Sequence, residues 1–240
     1  MGKTTGIAWC DATWNPWQGC DKVSAGCKNC YMYREKKRYG QDPQTVVRSA
    51  AHTFNAPLRW ARTGEVPDGS RIFVCSWSDF FHKKADAWRA EAWKIIEALP
   101  QYTFLIPTKR IGRLSIDVKM PDNVWLGASV EDQEMFDKRI VGLLEVSAKV
   151  HWLSVEPMLG PIDFRFPSYP NPHKDTWVVF GGESGPGCRP CDPDWIRDGV
   201  AQCREAGVPV FVKQLGGSPD ARSKLEDLPE DLRIREFPKG

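Results

Sequence analysis

Six short apolar runs recur along the chain: IFVCSWS from Ile72, TFLIPTK from Thr103, VWLGASV from Val124, VHWLSVEP from Val150, WVVFGGES from Trp177 and VPVFVKQ from Val208. Their starts lie about 21 to 31 residues apart, the span that one strand and one helix occupy together. Each run is nearly continuous in apolar residues, as expected of strands covered on both faces. Alternating apolar positions from Ile7 to Trp14 predict a further strand ahead of them. Between the runs lie helix patterns at Ala85 to Leu99, Glu131 to Leu144 and Pro193 to Ala206, with shorter ones at Tyr31 to Tyr39 and Pro57 to Arg62. In the first, Trp88, Ala92, Ile95, Ile96 and Leu99 share one stripe while Arg89, Glu91, Lys94 and Glu97 fall mostly elsewhere, as on an outer barrel helix. Such alternation predicts an α/β fold built on a parallel sheet. The expected architecture is a TIM-like (β/α) barrel, complete or partial, forming one domain over residues 1–240. Seven strands are visible, and an eighth would have to come from Gln41 to Ser70. The polar, turn-rich stretch 216–240 reads as an extension that packs on the surface or forms a short hairpin.

Composition changes this picture little. Hydrophobic residues make up 41% and charged residues 27% of the 240, enough for a core that needs no disulfide staples. A net charge of +2 and a pI near 8.1 are too balanced to demand a nucleic-acid or membrane partner. The N-terminus lacks the apolar centre of a signal peptide, and no run reaches the ~18 to 20 apolar residues of a membrane span. Position 6 is Gly rather than Ser or Thr, which breaks the myristoylation pattern. The expected location is the cytoplasm, where eight cysteines read as ligands, catalytic groups or buried thiols.

Three of those cysteines stand out. Cys20, Cys27 and Cys30 lie in TWNPWQGCDKVSAGCKNCYMY, in the loop that follows the first predicted strand. Three close thiols resemble a metal site lacking one protein ligand, and both iron-sulfur clusters and zinc use such donors. Zinc would need a fourth ligand from Cys10, His52 or another cysteine; a second CxxC, Cys188 and Cys191, lies after the run from Trp177. Cys75 and Cys203 read as small buried hydrophobes. The eleven tryptophans read mainly as core, with some able to offer a stacking surface.

In a parallel barrel, chemistry gathers where strands pass into the following loops. Those positions here carry Ser76 and Asp79, then Lys109 and Arg110, Ser129 and Glu131, Ser154 and Glu156, GGES at Gly181 to Ser184, and Lys213 with Gln214. So many polar groups on one rim predict a site. His82 follows Asp79 on the same rim. Gly181 and Gly182 let the backbone approach a ligand closely. The basic run Arg34, Lys36, Lys37 and Arg38 beside the cysteines reads either as a phosphate contact or as a solvated helix face.

The strings WNPWQGC and CKNCY, with TKR, WLGASVED, SVEPMLGPID, GGESGPG and GVPVFVKQLG, resemble an uncharacterised phage and bacterial family with a three-cysteine signature. That family is similar to radical S-adenosylmethionine enzymes, spore photoproduct lyase among them, and the resemblance covers nearly the whole chain. It implies that Cys20, Cys27 and Cys30 ligate a 4Fe-4S cluster whose remaining iron chelates S-adenosylmethionine for reductive cleavage, and that Tyr31 fills the aromatic place beside the last cysteine. Glu183, with Gly181 and Gly182, resembles the superfamily element that holds the cosubstrate amino group, although it comes late in the chain. The gap of six residues between Cys20 and Cys27 departs from the superfamily's usual three. The expected catalytic residues are Glu183, Lys109, Asp79, Glu156 and Lys213, and the expected cofactor-binding residues are Gly181, Gly182, Glu183, Ser129, Glu131 and Tyr31. An electron donor and a substrate, DNA or RNA among the candidates, complete this reading. The alternative is a non-enzymatic phage regulatory or interaction module that holds zinc or a fully ligated cluster.

Overall fold

The computed structural model describes residues 4–166, 176–217 and 225–239. Seven strands form one all-parallel sheet, in the order β1 (Ala12–Trp14), β4 (Arg71–Val74), β5 (Thr103–Thr108), β6 (Val124–Ser129), β7 (Val150–Val155), β8 (Thr176–Gly181) and β9 (Val210–Gln214). The sheet curls into a half-barrel, and the α/β expectation of a partial barrel holds. No eighth barrel strand arises among the described residues of 41–70. There β3 (Val47–Arg48) pairs antiparallel with β2 (Trp17–Gln18), and α2 (Ala51–Phe54) and α3 (Ala56–Thr63) follow.

The remaining helices are α1 (Tyr31–Arg38), α4 (Asp86–Glu97), α5 (Gln133–Glu145) and α6 (Pro193–Glu205). The α5 N-cap, Asp132, accepts from the Met135 amide at 2.9 Å, and the α6 N-cap, Asp192, accepts from the Asp194 amide at 2.9 Å with Pro193 opening the helix. Side-chain acceptors at these positions satisfy amides that have no partner within the helix. Ala92, Ile95, Ile96 and Leu99 are buried as the stripe predicts, and Trp88 packs against the same core. The first predicted strand is shorter than its pattern, because a turn at Ile7 to Cys10 precedes β1.

The interior face of the curl changes character along the strands. Alternate residues run Trp125, Gly127, Ser129 on β6; Trp152, Ser154 and then Glu156 on β7; Trp177, Val179, Gly181 on β8; and Phe211, Lys213 on β9. The amino-terminal half is therefore aromatic and the carboxyl-terminal half small or polar. Trp9, Trp125, Trp152, Trp177 and Phe211 belong to one apolar cluster inside the curl. Its rings approach at 5.3 Å for Trp9 and Trp152 and 5.5 Å for Trp152 and Trp177. Gly127 makes this packing possible, since a Cβ there would lie 2.4 Å from the Trp152 indole. Aromatic bulk closes one end, and space is left only at the other.

The C-terminal stretch does more than pack on the surface. Val212 N donates to Ile234 O at 2.9 Å and Glu236 N to Val210 O at 2.8 Å, so residues 234–236 pair along the outer edge of β9. Phe237 then stacks near Trp177 at 5.3 Å and beneath the Arg71 guanidinium at 3.7 Å. Residues 218–224 of that stretch lie outside the described residues.

Candidate functional site

The open end of the curl is a cavity of about 550 Å³ whose lining includes Cys20, Cys27, Cys30, Lys109, Glu156 and Lys213. The cysteine loop lies across its mouth, and separate anchors fix each thiol.

Cys20 follows Gly19, where a φ of +95° and the 2.3 Å that would separate an added Cβ from Thr45 O admit only glycine. Gly19 N donates to Trp77 O at 3.0 Å, Ser78 Oγ donates to Gly19 O at 2.6 Å, and Cys20 N donates to Pro43 O at 2.9 Å. Beyond the thiol, Arg110 Nη2 donates to Asp21 O at 3.0 Å. The Tyr33 hydroxyl donates to Cys20 O. His82, fully buried, accepts the Lys84 amide at Nδ1, which leaves Nε2 to donate to Asp21 Oδ2 at 3.0 Å.

Cys27 ends a 3-10 turn, Ala25–Cys27, that rests on Glu131. The Ser24 hydroxyl donates to Glu131 Oε1, and a Cβ on Gly26 would stand 2.4 Å from the same oxygen. Glu131 is fully buried between Arg139 Nη1 at 2.6 Å and Lys109 Nζ at 3.3 Å. Burial alone would raise its carboxyl; Lys109, Arg139 and the Ser24 hydroxyl together bring it below the ordinary value.

Cys30 caps α1, and Asn29 just before it donates to Glu183 Oε2 at 2.8 Å and to Gly187 O at 2.8 Å. Glu183 also receives the Arg189 amide at 2.9 Å, its Nε at 3.0 Å and its Nη2 at 2.5 Å. Burial opposes ionisation of Glu183, and the Arg189 and Asn29 hydrogen bonds overcome it and lower its pKa.

Asp79 is similarly occupied. It accepts from Thr108 Oγ1 at 2.7 Å, Phe81 N at 2.9 Å and Lys109 N at 3.0 Å, with Arg110 Nη1 at 3.6 Å. It thereby ties the β4 loop to the end of β5 and orients the arginine that holds Asp21. Tyr31 lines the cavity and donates its hydroxyl to Ser76 O. Ser129 and Ser154 are register partners on β6 and β7 and line the same space. Gly182 lines it too, whereas Gly181 lies against Glu156. The carboxylates expected to meet a cofactor directly, Glu131 and Glu183, are each engaged by protein cations and by the cysteine loop.

Thiols are donors that iron-sulfur groups and zinc both use. Burial, with Asp79 adding to it, pushes the Cys20 thiol up to about 12, and burial also raises Cys30. These thiols stay protonated at neutral pH unless a cation takes the place of their protons. A single zinc needs its donors at one point, and among the described residues no three His, Cys, Asp or Glu side chains converge in that way. A cluster gives each thiolate its own iron, and four cysteines line this cavity: Cys20, Cys27, Cys30 and, just after β4, the buried Cys75. Neither Cys10, pushed up to about 12 mainly by burial, nor Cys188 or Cys191 lines that cavity.

Sequence reasoning missed the anchors. Asn15, only 1% exposed, receives the Trp77 amide at 2.8 Å and donates to Ser76 Oγ at 2.9 Å. Asn29 lies inside the motif, between Cys27 and Cys30, and its place was the available signal. Arg139 is a buried charge on the apolar side of α5, an oddity in the helical pattern that marks a partner. Of the basic run, Lys36 turns inward at 3% exposed and Arg34 packs against Gly185.

The family model described as "Protein of unknown function (DUF5131)" matches residues 4–231. The chain belongs to that family. No curated protein sequence matches it. Among solved structures, this DUF5131 chain is similar to spore photoproduct lyase complexed with dinucleoside spore photoproduct, with a TM-score of 0.51 and 14% identity. The match covers 79% of this chain and 60% of that one, so the likeness is one of fold and the DUF5131 chain spans less than two thirds of its neighbour. No helix among the described residues is long and apolar enough to cross a membrane.

Proposed function

We propose that this chain is an iron-sulfur enzyme of the radical S-adenosylmethionine type, with Cys20, Cys27 and Cys30 as the cluster ligands. The observation that carries the reading is the meeting of three separately anchored thiols at the carboxyl-terminal mouth of a parallel half-barrel. The neighbour's fold supports it. When bound, the cluster would supply the electron for reductive cleavage of the cosubstrate's sulfonium bond.

The protein's part is to hold and shield. Arg110, Glu131 and Asn29 fix three points of the loop through backbone or side-chain hydrogen bonds, so the thiols are positioned before any cofactor arrives. Lys109 neutralises Glu131 beneath the loop. The aromatic floor closes the far end, so the cavity opens on one side only. Glu131, Glu183 and Asp79 act in this reading as positioning residues, while Glu156 and Lys213 face the substrate. The neighbour's complex with a dinucleoside product makes nucleic acid the first substrate class to try, in the cytoplasm of a bacterial host.

The test is to reconstitute the full chain anaerobically, add S-adenosylmethionine and dithionite, and assay 5′-deoxyadenosine by liquid chromatography. Product formed by the native chain and lost in Cys27→Ala is expected. Intact cluster with no product would remove the activity.

A further inference from the structure

One pair in the cavity has no part in holding the cysteine loop. Lys213 Nζ on β9 lies 2.7 Å from Glu156 Oε1, just beyond β7, with side chains 20% and 14% exposed. Glu156 Oε2 accepts from Trp9 Nε1 at 3.2 Å, and Oε1 is the oxygen that faces the ammonium. Gly181 leaves the space this carboxylate occupies, since a Cβ there would lie 2.8 Å from Oε1. Stability does not account for such a pair. Burying two charges costs about as much as their attraction returns, and apolar residues of similar size usually serve as well. Both side chains line the cavity and anchor no loop, so a ligand there can exchange hydrogen bonds with them.

The chemistry of the pair narrows that ligand. Together the two charges cancel, so neither an anion nor a cation gains from the site as a whole. A neutral group with a donor beside an acceptor fits, giving its N–H to the carboxylate and taking the ammonium at its carbonyl. An ordinary trans peptide points those two groups in opposite directions, whereas a lactam presents them on one edge. Trp9, Phe73 and Tyr31 in the lining favour a flat ring over a simple carboxamide.

We infer that Glu156 and Lys213 form a substrate subsite that recognises the lactam edge of a nucleobase. The inference rests on the proposed function only in taking this cavity as the substrate chamber. Ser129 and Ser154, at the ends of neighbouring strands, offer hydroxyls to the sugar attached to such a base.

Calorimetric titration of the anaerobically reconstituted full chain with uridine and with N3-methyluridine tests it, with a uridine pentanucleotide to separate a free nucleoside from a strand. Uridine, free or in the strand, should bind at least tenfold more tightly than the methylated form. That preference should fall to less than threefold in Glu156→Gln and in Lys213→Met. The double variant, which removes both charges together, keeps the comparison possible if a single variant misfolds, and it should also lose the preference. Equal binding of the two nucleosides, no binding of uridine or the pentanucleotide at millimolar concentration, or a preference that survives in the double variant overturns the subsite. The iron content and 5′-deoxyadenosine yield of the same preparations separate the two readings. Iron and product without nucleoside discrimination sink the subsite alone, and discrimination without iron sinks the proposed function alone.

Discussion

Replacing Glu131 by Ala is the sharpest perturbation of the cysteine loop. The carboxylate is fully buried, with Arg139 5% and Lys109 18% exposed against it, so the variant leaves two cations facing each other without a counter-charge. Removing one partner of a buried ion pair costs about 3 to 5 kcal/mol. That is a large share of a total stability of about 5 to 15 kcal/mol, and for a chain of this size it lowers the melting midpoint by roughly 6 to 20 °C. The same change frees the Ser24 hydroxyl and the Cys27 turn, so iron incorporation should fall as well. Urea denaturation followed by circular dichroism measures the first effect, and iron per chain after anaerobic reconstitution measures the second. The double variant Glu131→Leu, Arg139→Leu separates them. It restores the part of the stability owed to Arg139, because apolar groups replace that pair while Lys109 stays unpaired, and it leaves Ser24 unanchored and iron incorporation low. A Glu131→Ala stability within about 1 kcal/mol of the native chain, well below the cost of an unpaired buried charge, would refute the reasoning.

Three other outcomes are expected. Gly127→Ala drives a methyl against the Trp152 indole at 2.4 Å and should destabilise by about 1 to 3 kcal/mol, read from the urea midpoint; a neutral result would mean that the tryptophan layer repacks freely. Phe237→Ala removes the ring between Arg71 and Trp177 and should speed hydrogen exchange at the Val212 amide, which donates to Ile234 O, while the β6 amides stay protected. The Glu183 carboxyl is opposed by burial yet held below its ordinary 4.5 by Arg189 and Asn29. A depressed folded-state value stabilises above that ordinary value and stops doing so as pH falls through the folded one. The stability gap between native chain and Glu183→Gln should therefore be full at pH 7 and close on acidification below pH 4.5; a gap that widens in acid contradicts the ion pair.

The half-barrel was legible because its signal is local. Each strand of a parallel sheet is covered on both faces, so VWLGAS and WVVFG announce themselves as apolar runs, and the α4 stripe follows from a period of 3.6 residues. The extra pairing of residues 234–236 with β9 was not visible, since RIREFP is largely polar and alternates weakly. At the site, the thiols and the rim were readable from type and spacing. What type and spacing do not reveal is whether a carboxylate on that rim is free. Glu131 and Glu183 became anchors only through Arg139 and Arg189, whose positions depend on α5 and on the loop after β8. Glu156 and Lys213, by contrast, meet inside the cavity because their strands flank β8 and Gly181 on that strand leaves the carboxylate room.

The most direct test of the central claim is metal analysis of the full chain purified and reconstituted without oxygen, beside Cys27→Ala. An iron-sulfur site predicts a brown protein with about four irons per chain, little zinc, and loss of most iron in the variant. Stoichiometric zinc with no iron in the native chain would contradict it.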